Sequence, residues 1–105
     1  MKLAKGMTFQ RIINFLRYIK EDQDVLAVKL INEDLDEGTD LAELLQVKED
    51  GFGYSLDVER ISEDTFKIKF GCQAGPTAGD GGEWTVSYNK DDNVVECNAG
   101  SSWMS

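Results

Sequence analysis

The chain has 105 residues, 41% of them hydrophobic and 30% charged, enough for one folded core and too few for two. Twenty acidic against 11 basic residues give a formal charge of −9, which disfavours phosphate backbones and anionic lipid as partners. Histidine is absent, which removes the commonest general base and the usual nitrogen ligand for zinc.

Charge runs unevenly along the chain. Residues 1–20 carry Lys2, Lys5, Arg11, Arg17 and Lys20 without an acid, residues 21–65 carry a net −12, and the remainder carries −2. Arg11, Asn14 and Arg17 interrupt the apolar run that a secretory signal would need after Lys5, and no stretch approaches the ~20 apolar residues of a membrane span. A cytoplasmic protein without membrane attachment is the expectation. Cys72 and Cys97 are too few for a disulfide framework and too far apart for a metal knuckle, so two reduced thiols are expected.

Phe9, Ile12, Ile13, Leu16 and Ile19 recur at three- and four-residue steps behind Thr8, a natural cap, and predict an amphipathic helix over 8–20. Its polar flank carries Arg11, Arg17 and Lys20, as a solvated face or as a partner for the acidic middle. Val25, Leu26, Val28, Leu30 and Ile31 fit a second helix starting near Asp24, with a buried strand as the competing pattern. After the acidic turn Glu33 to Gly38, Thr39 or Asp40 caps a third helix with a stripe of Leu41, Leu44, Leu45 and Val47, ending before Gly51.

Beyond Phe52 the period changes to two. Tyr54, Leu56 and Val58 alternate with polar residues, Ser62 to Thr65 make a turn, and Phe66, Ile68, Phe70 and Cys72 alternate again, predicting a hairpin. Residues 71–82 hold five of the ten glycines and the only proline, the composition of a loop. Trp84, Val86 and Tyr88, the turn Asp91-Asp92-Asn93, and Val94 to Cys97 predict a second hairpin. The expected fold is α+β in one domain, 1–105: helices over about 8–50, a small antiparallel sheet of two hairpins over about 53–98, and a flexible tail over 99–105.

No constellation of residues carries chemistry. Asp91, Asp92 and Asn93 lack the alternate-residue spacing and distal glutamate of a calcium loop, and Gly79-Asp80-Gly81-Gly82 lacks the lysine and following helix of a phosphate loop. Neither cysteine has a base beside it in sequence to generate thiolate. The expectation is a protein that is not an enzyme, with no catalytic residues, no cofactor and no metal.

Phe15 to Leu30, then Leu41 to Ser55 with its Gly51-Phe52-Gly53-Tyr54-Ser55 step, resemble the nitrogen-fixation-type (nitrile-hydratase-like) leader peptides of ribosomally synthesised natural-product precursors. Ile61-Ser62-Glu63-Asp64-Thr65-Phe66 is similar to the late serine-acidic segment of that family, so the likeness covers about residues 8–65. The resemblance implies helices that are bound by a maturation enzyme, a double-glycine step at Gly81-Gly82, and modification sites at Cys97, Ser101 and Ser102. The alternative is a small acidic binding module, of inhibitor or immunity type, acting on a basic protein partner. In either case Glu37, Asp40 and Glu43, with Leu41 and Leu44, are the candidates for partner contact, the partner is a protein, and nucleic acid is not expected.

Overall fold

A computed structural model describes residues 3–21, 25–45, 52–75 and 78–104. Three helices, α1 (Phe9–Tyr18), α2 (Leu26–Asp34) and α3 (Leu41–Leu44), precede four strands, β1 (Phe52–Ser62), β2 (Thr65–Gly75), β3 (Ala78–Tyr88) and β4 (Val94–Met104). The strands form one antiparallel sheet in the order β1-β2-β3-β4. The α+β expectation therefore holds in its coarse form.

Alternation along the strands builds the core. Tyr54 and Leu56, then Phe66, Ile68, Phe70 and Cys72, then Trp84, Val86 and Tyr88 are buried on the face that receives the helices. Ile12, Phe15, Leu16 and Ile19 of the first helical segment, Ala27, Val28 and Ile31 of α2, and Leu41 and Leu45 of the third close over them. Phe15 meets Trp84 edge to face at 5.5 Å, and Tyr54 stacks on Phe70 at 5.9 Å. The opposite sheet face carries Asp57, Glu59, Lys67 and Lys69 and is left to solvent, with Lys67 Nζ 3.1 Å from Glu83 Oε1.

The helices start where their caps place them. Thr8 Oγ1 accepts the Arg11 amide at 3.2 Å, fixing the start of α1. Val25, which precedes α2, has no side chain able to cap it; the cap comes from β3 instead, where Asp80 accepts the Leu26 amide at 2.8 Å and the Ala27 amide at 3.1 Å. Asp40 caps α3, accepting from Ala42 and Glu43.

The structure corrects the sequence reading at three places. The two hairpins are joined into a single four-stranded meander, because the stretch read as a loop over 71–82 is extended: β2 runs to Gly75 and β3 begins at Ala78. Glycine carries no side-chain signal of strand alternation, so this extension was hidden. One of these glycines makes room for a ring, since a Cβ on Gly82 would lie 2.7 Å from Trp84 Cη2. The tail read as flexible from residue 99 is paired through Met104, opposite Asp80. The third helix is a single short turn as far as Leu44, and Asp24, Val47 and Gly51, which entered the helix expectations, lie outside the described residues.

Candidate functional site

Residues 33–43 form an acidic ridge. Glu33, Asp34, Asp36, Glu37, Asp40 and Glu43 are all exposed, with no base among these eleven positions. Half of them are engaged within the fold. Tyr54 Oη donates to Asp34 Oδ2 at 2.6 Å, tying the end of α2 to β1. Asp36 Oδ1 accepts from the Gly38 amide at 2.8 Å and from Thr39 Oγ1 at 3.0 Å, closing the turn, and Asp40 is spent on α3. Glu33, Glu37 and Glu43 project from this scaffold. Glu33 and Asp34 end α2, where the helix dipole is negative and no base offsets it, so these charges oppose local helix stability.

The sequence candidates divide accordingly. Glu37 and Glu43 are exposed and Asp40 is exposed but committed to its cap, whereas Leu41 is buried in the core and Leu44 packs partly against it. The leucine stripe thus holds the helix to the sheet and is not presented to a partner. Cys97 sits opposite Val86 and packs partly on the core; Ser101 is exposed on β4, and the backbone of Ser102 pairs with Gly82.

A second polar cluster, missed from sequence, locks α1 to one end of the sheet. Arg11 is only 8% exposed. Its Nε lies 2.7 Å from Asp92 Oδ1, its Nη2 lies 3.3 Å from Asp64 Oδ1, and its Nη1 donates to the Gly6 carbonyl at 3.2 Å. The guanidinium also lies over the Tyr88 ring at 4.9 Å, while Tyr88 Oη donates to the Arg11 carbonyl at 2.8 Å. Asp92 adopts a left-handed φ of 66°, which the Asp side chain tolerates, to present its carboxylate in the β3–β4 turn. The hydrogen bond that Arg11 donates to Asp92 raises the Arg11 pKa, with burial opposing. This cluster joins α1 to both hairpin turns and is fully committed to the fold. The only sequence signal for it was one basic residue on the helix flank beside two acidic turns.

Burial, aided by the neighbouring Asp34, pushes the Tyr54 hydroxyl well above its ordinary range, and burial does the same for Tyr88. Cys72 is likewise pushed up by burial and by the Asp80 carboxylate. A thiol held protonated is a poor nucleophile. Cys97 lies on the row that runs through Val86 to Phe66, six residues along β2 from Cys72, so about 20 Å separates the two thiols along the strand direction. Among the described residues, no three His, Cys, Asp or Glu side chains converge as metal ligands, and every buried side-chain nitrogen and oxygen has a partner. The solvent face of the sheet carries a shallow hollow of about 180 Å³ lined by Asp57, Val58, Glu59, Lys67 and Lys69. No helix among the described residues is long and apolar enough to cross a membrane.

Site and fold define a four-stranded antiparallel meander covered on one face by helices and edged by an acidic ridge. Comparison with protein-family models, with curated proteins and with solved structures finds no match, so the functional reading rests on the geometry.

Proposed function

We propose that the chain is a non-catalytic recognition module whose acidic ridge docks onto a basic protein surface. The observation that carries this reading is the set of six exposed carboxylates between Glu33 and Glu43 without a base among them, two of which, Glu33 and Asp34, sit at the end of α2 where they weaken the helix. Charge held against local stability is the pattern of a surface kept for association, because complementary potentials speed encounter and reject wrong partners. The strand-rich half supports the same reading. Trp84, Val86 and Tyr88 are core residues, so a maturation enzyme acting on Cys97, Ser101 or Ser102 of a precursor would need β4 to leave its pairing with β3.

The test is affinity capture at low and high salt with the natural chain and with a Glu33→Lys, Glu37→Lys, Glu43→Lys variant. These three side chains are exposed, and the variant leaves the structural roles of Asp34, Asp36 and Asp40 intact. The expected result is a basic protein that binds the natural chain, elutes with salt and is lost with the variant, confirmed with the purified pair. Equal retention by the variant would overturn the ridge as the binding surface.

A further inference from the structure

The sheet ends in two edges of equal length. Among the described residues, β1 and β4 each pair with one neighbour only, and each is 11 residues long. Exposed edges in natural proteins are commonly guarded by charge or proline, because their unpaired backbone groups template further strands. β1 carries Asp57, Glu59 and Arg60 and a bulge between Arg60 and Ser62, whereas β4 is interrupted by two register shifts against β3 but has a single charged residue, Glu96, and no lysine or proline. Two of the large exposed apolar side chains lie on these edges, Ile61 at 54% and Val95 at 61%.

We propose that the β4 edge of one molecule receives the β1 edge of a second copy of this chain, head to tail. Three relationships select that occupant. With four antiparallel strands, β1 and β4 run in opposite directions, so simple repetition of the molecule pairs them antiparallel and keeps the helices of both copies on one face. The rows Ser62–Thr65–Ser87–Glu96 and Arg60–Phe66–Val86–Cys97 place Ile61 and Val95, each the extra residue of a bulge, at the same end of the two edges. The flanking charges are complementary: α1, which packs beside β4, exposes Arg17, with Lys5 and Lys20 exposed in the segments just before and after it, whereas the acidic ridge is tied to β1 through Asp34 and Tyr54.

The proposal rests on the acidic-ridge reading in that the basic surface it names is α1 of the neighbouring copy. The net charge of −9 opposes association at long range, but at physiological ionic strength a Debye length of ~8 Å screens distant charges across a molecule 38 Å long and leaves the facing ones. Heterologous contacts of this kind grow as open chains rather than closed dimers.

The test is sedimentation across a wide concentration range at physiological salt. The natural chain is expected to rise with concentration to at least about twice the 11.7 kDa of one copy. Val95→Glu, which places a charge at the joint on an exposed position, is expected to remain at one copy. A ridge variant (Glu33→Lys, Glu37→Lys, Glu43→Lys) and a helix variant (Lys5→Glu, Arg17→Glu, Lys20→Glu) are each expected to remain single alone and to associate when mixed, since each then offers the charge that the other lacks. Amide spectra check that each variant is folded. A natural chain that stays single at every concentration, a Val95→Glu chain that associates as before, or a mixture that fails to recover association would overturn the proposal. The binding of a different basic protein to the ridge would then still stand on its own test.

Discussion

Asp80 of β3 closes the N-terminus of α2, its two carboxylate oxygens taking the amides of Leu26 and Ala27 across a sequence separation of more than 50 residues. The helix has no cap of its own, so its start depends on the sheet being formed. Helix and C-terminal strands are thereby one cooperative structure.

Asp80→Ala is expected to destabilise the chain by about 1–2 kcal/mol, the range for loss of an N-cap. Asp80→Asn retains one side-chain acceptor and is expected to lose less. Urea unfolding of the three proteins, with the slope unchanged, checks the order.

Arg11 contacts both hairpin turns, and its removal leaves Asp64, Asp92 and the Gly6 carbonyl without their donor. Both carboxylates are partly exposed, at 49% and 39%, and solvent screens the loss. Arg11→Met is therefore expected to cost about 1–3 kcal/mol. Arg11→Lys preserves the charge but not the guanidinium fork or its place over Tyr88, and is expected to recover only part. A double-mutant cycle with Asp92→Asn should return a favourable coupling; additive losses would separate the two residues.

Gly82→Ala tests the meeting of Trp84 with its neighbour. The added methyl lies within 2.7 Å of the ring, so either the indole or the strand must move. A loss of about 1–3 kcal/mol is expected, with a change in near-ultraviolet circular dichroism from the displaced Trp84.

The buried tyrosines set the alkaline limit. Folding raises the pKa of Tyr54 and Tyr88 above the unfolded value of about 10, so the native state binds more protons in that range. Their contribution is fully present below about pH 10 and is lost as pH rises through the folded values. Stability is expected to fall steeply above about pH 10. Tyr54→Phe is expected to be less stable near neutrality, having lost the bond to Asp34, and to show a shallower alkaline decline. Urea midpoints measured against pH check both.

Much of the architecture was legible because it is local. The step of Phe9, Ile12, Leu16 and Ile19 behind Thr8 marks α1, and the alternation of Phe66, Ile68 and Phe70 marks β2. The joining of the hairpins was not legible, because Gly79, Gly81 and Gly82 carry no alternating side chains and are read as loop. The roles of Asp80 and Arg11 depend on partners more than 50 residues away and leave no periodic trace. Of the partner candidates, Glu37 and Glu43 could be placed on the surface by charge alone. Leu41 and Leu44 were read as partner contacts, whereas Leu41 is buried and Leu44 packs partly on the core, since a leucine row on a short helix beside a sheet is used to hold it there.

The measurement that bears most directly on the account is amide exchange of the unmodified chain, resolved by residue in a nitrogen–proton correlation spectrum. A recognition module with an integral four-stranded sheet predicts dispersed signals and protected amides throughout β3, and in β4 at the positions bonded to it. Collapsed, rapidly exchanging signals from Glu83 to Ser105 beside ordered helices would contradict it, and would make that segment a detachable substrate for a maturation enzyme.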